Sequence, residues 1–136
     1  MTTPSVSDPA LDYIPDVVLV AKQNDRFRRG VCANPPGLAP SSPDALRGRV
    51  VFTRAVAAKG LLFKLRCLAA IAAHDTFEPE NDPDRLRDFG CVRVDGERVW
   101  FKVDLYSDET FSWGSERMDD PAATVRLMTV MFPSDW

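Results

Sequence analysis

Apolar and polar residues alternate through residues 88–106, and the alternation is interrupted once, at Asp95-Gly96. This dipeptide favours a two-residue hairpin turn, because both central positions of such a turn need positive φ. The turn sets the register of two strands, with these opposed pairs: Val94 and Glu97, Val92 and Val99, Gly90 and Phe101. The pattern therefore predicts an antiparallel β-hairpin over this segment.

The two faces of the predicted hairpin differ, because successive side chains of a strand point to opposite sides. The face expected to pack on helices carries Val92, Val94, Val99, Phe101 and Val103. The other face carries Phe89, Cys91, Arg93, Arg98, Trp100, Lys102 and Asp104. Arg93 lies opposite Arg98, which lowers stability unless an acid or a ligand lies between the guanidinium groups. Arg87 lies opposite Asp104, where we expect an ion pair, and a longer, bulged loop would shift all these pairs.

A helix is predicted from Pro15 to about Arg29, since proline suits the first helical turn and Gly30 follows as a stop signal. Its inner face would hold Val17, Val20, Ala21 and Phe27. A strand is the alternative for residues 17–20, because short apolar runs fit either element.

A second helix is predicted over residues 61–73, preceded by a helical turn that Thr53 can cap. Its apolar stripe consists of Leu61, Leu65, Leu68 and Ile71, so this helix should form the buried centre of the fold. His74 follows at its end, where the negative helix terminus favours an imidazolium ion. We therefore expect a capping role for His74 rather than a catalytic one.

Two further segments fit strands. Residues 49–52 are β-prone, and residues 124–131 fit a strand ended by Pro133 or, alternatively, a helix begun at Asp119-Asp120-Pro121. Proline-rich residues 31–48 and polar residues 107–120, with an exposed Trp113, are expected to be loops.

These elements predict one α+β domain over residues 15–136, preceded by a flexible tail over residues 1–14. Two main helices would pack on a small antiparallel sheet with a central β-hairpin. The length of 136 residues suits a single domain that needs no metal or disulfide to fold.

Composition narrows the class of protein. With 45% apolar residues and no apolar run long enough to span a membrane, the chain is expected to be globular and to have no membrane partner. The N-terminus resembles no secretory signal, which favours the cytoplasm. Cys32, Cys67 and Cys91 are widely spaced and odd in number, so we expect reduced thiols, two of them buried, rather than a zinc site or disulfides.

Charge is unevenly distributed along the chain, whose net charge is −3. Residues 1–74 carry ten basic against five acidic side chains, and residues 75–136 carry seven against fifteen. Solvated loops explain such runs most simply, and a partner surface is the alternative. An acidic total disfavours nucleic acid as the partner.

Candidate chemistry is sparse, and no phosphate-binding glycine loop or nucleophile motif is present. Carboxylates recur at every second residue in Glu78–Asp84, a pattern that either forms a turn or binds a hard cation. Asp82, Asp84 and Asp88 are the candidate ligands. A metal-dependent hydrolase or nuclease built on Asp82, Asp88 and Asp104, with Lys102 beside the attacking water, is therefore the alternative function, although we expect no cofactor.

Several short blocks occur in a characteristic order: Asn24-Asp25-Arg26-Phe27-Arg28, Asn81-Asp82-Pro83, Asp88-Phe89-Gly90, Trp100 through Lys102-Val103-Asp104, Asp120-Pro121, and Thr124-Val125-Arg126-Leu127-Met128-Thr129. Over residues 17–136 their order and spacing resemble those of a family of small bacterial proteins, the domain of unknown function 3768. The resemblance implies a cytoplasmic protein of mobile elements and implies no catalytic residues. The chain departs from the family pattern at Leu86-Arg87, where relatives have Glu-His, so the resemblance gives an enzyme no support.

The leading hypothesis is a non-enzymatic protein that binds another protein. Its predicted contact residues are Arg93, Arg98, Trp100, Lys102 and Asp104 on the mixed hairpin face, joined to loops 78–84 and 107–120. An inhibitor or immunity-like factor of a mobile element would suit a small acidic chain. The competing interpretation is that Trp100 packs under the long proline-rich loop. The sequence leaves the oligomeric state open.

Overall fold

The structure is a computed structural model, and it describes residues 13–33 and 46–136. In these ranges the chain forms three helices and four strands, in the order α1 (Val17–Ala33), β1 (Gly48–Phe52), α2 (Arg54–Ala57), α3 (Leu61–Ala73), β2 (Phe89–Val94), β3 (Glu97–Tyr106) and β4 (Val125–Met131). Short 3-10 turns occupy Pro121–Ala123 and Pro133–Asp135. None of the helices described is long and apolar enough to cross a membrane.

The four strands form one sheet in the order β1-β4-β3-β2, and α1 and α3 contact each other beside it. This arrangement confirms the α+β class with two main helices, a small sheet and the predicted hairpin. The sheet is mixed rather than wholly antiparallel, because β1 runs parallel to β4. A parallel pair needs a crossover connection, and here α2, α3 and the hairpin lie between the two strands.

The hairpin forms in the predicted register, with Val94 opposite Glu97, Val92 opposite Val99, and Gly90 opposite Phe101. Asp95 and Gly96 have φ values of 53° and 81°, as a type I′ turn requires. The expected inner valines and Phe101 are buried, apart from a partly exposed Val92. Local turn chemistry therefore determines both the register and the two faces of this element.

Residues 125–131 form the strand β4, so the helix alternative for residues 124–131 is wrong. β4 lies inside the sheet, where it pairs with β1 on one side and β3 on the other. Asp120 caps only the short turn Pro121–Ala123, through a bond from the Ala122 N–H. Sheet pairing on both sides satisfies the backbone of this β-prone run better than an isolated helix would.

Helix α1 differs from its prediction at both ends. Pro15 precedes the helix, and Gly30 lies inside it, because its φ is not positive and the helix continues to Ala33. The strand alternative for residues 17–20 is wrong. Val20, Ala21 and Phe27 are buried as expected, whereas Val17 is 44% exposed. Polar Gln23, Asn24 and Arg28 complete the buried face instead.

Helix α3 has the predicted bounds, but its buried stripe is rotated. Leu68 and Ile71 are buried as expected, whereas Leu61 and Leu65 are 66% and 41% exposed. Phe63 and Cys67 are buried instead. The Phe63 ring packs against the Phe132 ring, with 5.9 Å between the two ring centroids. At the preceding turn Thr53 occupies the cap position, but its hydroxyl donates to Asp135 rather than to the helix.

The C-terminus of α3 is capped by Arg28 of helix α1, so the capping role expected for His74 is wrong. The Arg28 guanidinium donates to the carbonyls of Ile71 and His74 and pairs with Asp25 at 2.7 Å. His74 instead packs between the rings of Phe77 and Phe101, and its buried Nε2 has no hydrogen-bond partner among residues 13–33 and 46–136. Burial, aided by Arg28, lowers the pKa of His74 and favours the neutral imidazole.

A second buried arginine joins α1 to β4. Arg126 donates from Nε to the side-chain oxygen Oδ1 of Asn24 at 2.8 Å and from a terminal nitrogen to the side-chain oxygen Oε1 of Gln23 at 3.2 Å. The other terminal nitrogen is buried and has no partner in the part of the chain that the structure describes. Burial lowers the Arg126 pKa to about 10, so the side chain stays charged at neutral pH.

The three cysteines are free thiols, and two of them are buried as expected. Burial raises the pKa of Cys32 to about 12 and that of Cys67 to about 11. Both are therefore protonated and unreactive at neutral pH. Residues 1–12 of the predicted tail and residues 34–45 of the predicted proline-rich loop lie outside the described residues.

Candidate binding face of the hairpin

All five predicted contact residues lie on one side of the hairpin, and the alternation along β2 and β3 explains why. We call this side the outer hairpin face, and define it as Phe89, Cys91, Arg93, Arg98, Trp100, Lys102 and Asp104. Arg93 and Arg98 are exposed, while the other five are partly buried. The apolar side of the same strands packs in the core with α3.

Arg93 and Arg98 are directly opposite each other across the two strands. Arg93 donates to the Gly96 carbonyl at 3.3 Å, and neither arginine forms an ion pair among the described residues. The carboxylates nearest in sequence are engaged elsewhere: Asp95 pairs with Arg66 at 3.0 Å, and Glu97 pairs with Lys59 at 2.8 Å. The two guanidinium groups therefore repel each other without a compensating acid.

The other two charged residues of the face are paired with each other, as Lys102 lies 3.2 Å from Asp104. The ion pair expected between Arg87 and Asp104 is wrong. β2 begins at Phe89, so Arg87 lies outside the strand, has φ of 55° and pairs with Asp25 at 2.6 Å. Asp25 thereby bridges Arg87 and Arg28.

Three aromatic rings form a cluster on the outer hairpin face. Phe89 and Trp100 have ring centroids 5.3 Å apart, and Trp136 lies 6.2 Å and 6.3 Å from them in edge-on contacts. The Lys102 ammonium lies 5.6 Å from the Trp136 ring centre. Trp136 remains 74% exposed, so the cluster presents aromatic surface to solvent beside the basic side chains.

A shallow cleft of about 440 Å³ runs across this face at the free side of β2. Loop residue Asn81 forms one wall, and the rest is lined by Phe89, Cys91, Val92, Arg93, Arg98 and Trp100. The small side chain of Cys91 lies opposite Trp100, which leaves room above it. The cleft therefore joins two cations, two aromatic rings and an amide.

The two acidic loops are placed differently with respect to this cleft. Loop 78–84 supplies Asn81 and so adjoins it, whereas loop 107–120 begins after Tyr106 at the opposite end of β3. The isolated bridge between Tyr106 and Gly114 holds the second loop there. Trp113 is exposed, as expected, but lies in this distant loop.

The acidic segment forms a turn through Asp82. Its carboxylate accepts the Arg87 N–H at 2.9 Å, and the residue is buried. Burial, followed by the charges of Asp82, Asp84 and Asp104, raises the pKa of Asp88. In residues 13–33 and 46–136, no three His, Cys, Asp or Glu side chains are grouped so that they could hold a metal ion. Asp82, Asp84 and Asp88 therefore do not form such a group in these ranges.

Sequence reasoning joined loop 78–84 to this face without singling out Asn81, and it missed Trp136. Both reach the hairpin from outside it, through the turn Pro133–Asp135 and through loop 78–84. Alternation along a strand identifies the residues of that strand, but gives no signal for a side chain that arrives from elsewhere. The competing interpretation of Trp100, packing under the proline-rich loop, concerns residues 34–45 and lies outside the described residues.

The fold and this face define a small α+β protein with an open sheet face of arginine and aromatic side chains. The chain belongs to the family described as protein of unknown function (DUF3768), whose model matches residues 52–135. The match includes the hairpin, β4 and all of the outer hairpin face, and it begins later than the resemblance over residues 17–136. Searches of curated proteins and of solved structures gave no match.

Proposed function

We propose that the protein is a non-enzymatic binding protein whose outer hairpin face contacts another protein. The observation that carries this proposal is the opposed, unpaired pair Arg93 and Arg98. Like charges directly across two strands are destabilising, and an acidic group of a partner placed between them would turn repulsion into attraction.

The surroundings of the pair also favour a protein partner. Arginine and tryptophan are the side chains that most often anchor protein interfaces, and here Trp100 lies in the same cleft as both arginines. Trp136 and Phe89 extend the aromatic surface beside it. A contact at this position can therefore combine apolar burial with charge-assisted hydrogen bonds.

The charges of the outer hairpin face do not favour the inhibitor role expected for the acidic chain. A surface that mimics nucleic-acid phosphates needs carboxylates, whereas the unpaired charges of the outer hairpin face are guanidinium groups. We place the protein in the cytoplasm as part of the same proposal, supported by the three free thiols.

The test is a selection of displayed protein fragments on the purified protein, followed by affinity measurements with single variants. Arg98→Gln and Trp100→Ala should each weaken the selected fragments about tenfold or more, since each removes one anchor of the contact. Arg29→Gln is the matched control, because Arg29 is also an exposed arginine but lies on α1 rather than on the hairpin. Thermal unfolding of each variant checks that it is folded.

Fragments bound equally well by wild type and by both hairpin variants would contradict the proposed contact surface. Failure to select any fragment, with a folded protein, would contradict protein binding itself.

A further inference from the structure

Strand β2 is an edge strand, since it has a neighbour on one side only in the order β1-β4-β3-β2. In an antiparallel hairpin the opposed pairs alternate between bonded and non-bonded. The bond from the Val103 N–H to the Asp88 carbonyl, at 2.8 Å, fixes this alternation and puts residues 88, 90, 92 and 94 in bonded pairs. The N–H and C=O groups of Phe89, Cys91 and Arg93 therefore point away from β3.

These outward groups remain available in the part of the chain that the structure describes. No turn, loop or side-chain hydrogen bond uses the backbone N–H or C=O of Phe89, Cys91 or Arg93 there. The cleft with Asn81 opens along this same edge. An extended backbone laid into the cleft would find donors and acceptors with the spacing of a β-ladder.

The side chains above this edge have a defined order. Arg93 lies at the edge with Arg98 behind it, and two residues earlier Cys91 lies at the edge with Trp100 behind it. A residue of an added strand opposite Arg93 would reach both guanidinium groups. A residue two positions along would enter the space above Cys91 and contact the Trp100 ring.

We propose that the partner contributes an extended segment that pairs with β2 as a fifth strand. An acidic residue of this segment lies over Arg93 and Arg98, and an apolar residue two positions away lies over Cys91 against Trp100. This inference rests on the proposed function, because it specifies how the partner occupies the outer hairpin face.

Charge favours a peptide over two other occupants. A single-stranded nucleic acid would bring a phosphate at every nucleotide past the exposed acids Glu78, Glu80 and Asp84 beside Asn81, which repel a continuous polyanion. A second copy of the chain, paired edge to edge, would bring two unpaired arginine pairs together, which is how charged edge strands resist self-association. One or two carboxylates in an extended peptide avoid both penalties.

The first experiment is a selection of randomised seven-residue peptides displayed on phage. Wild type should enrich peptides with Asp or Glu two positions from a large apolar residue, and Arg93→Gln/Arg98→Gln should not enrich the acid. Arg29→Gln, the matched control, should enrich the same peptides as wild type. Equal enrichment of acids by the double variant would overturn the assignment of the acidic residue.

The second experiment measures amide hydrogen exchange by NMR, with and without the best peptide. The amides of Phe89, Cys91 and Arg93 should exchange at least tenfold more slowly in the complex, while those of Val92 and Val94 stay unchanged, because they already bond to β3. Methylating the alternate peptide nitrogens that face β2 should weaken binding about tenfold or more. The same peptide methylated at the intervening nitrogens is the control.

The outcomes separate this inference from the proposed function. Peptides that need Arg98 and Trp100 but leave the three amides unprotected would overturn strand addition and keep the binding face. Tighter binding of an oligothymidine strand than of any selected peptide would overturn a peptide as the occupant. Absence of binding by every fragment and peptide would overturn the proposed function.

Discussion

Four arginines of this protein occupy different electrostatic environments. Arg28 is buried against Asp25 and two helix carbonyls, whereas Arg126 is buried against two neutral amides. Arg93 and Arg98 are exposed, and neither forms an ion pair among the described residues. Burial with hydrogen-bond partners indicates a structural role for the first two, and the opposed, exposed position of the others is the basis of the binding role that we propose for them.

In the buried cluster of Arg126, Asn24 and Gln23, we expect substitution of Asn24 to destabilise the fold more than substitution of Arg126. Asn24→Leu leaves a buried guanidinium without its 2.8 Å partner, and should lower the free energy of unfolding by about 3–5 kcal/mol. Arg126→Met removes the buried charge and leaves only neutral amide oxygens unpaired, so it should cost about 1–3 kcal/mol. Urea unfolding at pH 7 measures both values. A larger loss for Arg126→Met would contradict this account of the cluster.

The single histidine predicts a pH dependence of stability. Because burial and Arg28 lower the His74 pKa below 6.5, the unfolded chain binds a proton that the folded chain does not. Asp75 and Asp25, also near His74, act in the opposite direction but less strongly. The free energy of unfolding should therefore fall as the pH drops below 6.5, and His74→Leu should reduce this dependence.

NMR gives a direct check, since the only imidazole signals belong to His74. Their midpoint in the folded protein should lie below pH 6.5, and a midpoint at or above that value would contradict the burial argument.

Residue-scale features were the least predictable from the sequence. The burial of Arg28, Asn24 and Arg126 has no signal in the sequence, since polar side chains rarely enter a core. Their burial depends on partners far away in the chain, such as the carbonyls of α3 for Arg28. Sequence periodicity carries no information on such pairing.

At the scale of elements, local chemistry decides what the sequence can predict. The hairpin has the expected register because Asp95-Gly96 determines its turn from within. The bounds of α3 were also predictable, but its rotation was not, since Leu61 and Phe63 are equally apolar and only Phe132 distinguishes them. β4 was ambiguous because its pairing partners are β1 and β3, both distant in sequence.

Replacing either of two hairpin glycines, Gly90 or Gly96, with alanine should destabilise the fold, but by different amounts. A Cβ on Gly90 would overlap the Phe101 ring and lie 2.9 Å from His74 Nε2, so Gly90→Ala should destabilise by about 1–3 kcal/mol through overpacking. A Cβ on Gly96 meets nothing within 4 Å, and Gly96→Ala should cost about 1 kcal/mol through its positive φ alone.

Gly90→Ala should also change the ring contacts of His74, which Gly96→Ala leaves intact. Chemical denaturation gives both costs, and NMR of the imidazole signals reports the difference. Equal losses of unfolding free energy in the two variants, with unchanged imidazole signals, would contradict the overpacking argument, because the Phe101 ring would then have moved aside without destabilising the fold.

For the whole molecule, the helices cover one side of the hairpin and leave the outer hairpin face open. That the five proposed contact residues share one face was predictable, since alternation on a hairpin of known register assigns every side chain to a face. The cleft was not, because Asn81 reaches it from a loop, and the aromatic cluster beside it was not, because Trp136 reaches that cluster from the turn after β4. Whether this face serves structure or binding is the central question for the molecule.

Substitution of Arg98 tests that question most directly. If the opposed arginines are kept for an acidic partner, the free protein should gain stability when the repulsion is removed, and gain more when Glu can pair with Arg93. The melting temperature should rise in the order wild type, Arg98→Gln, Arg98→Glu, by about 1–3 °C overall, while affinity for selected peptides falls in that order. A melting temperature that falls in both variants would contradict the account, because the arginine pair would then serve the fold.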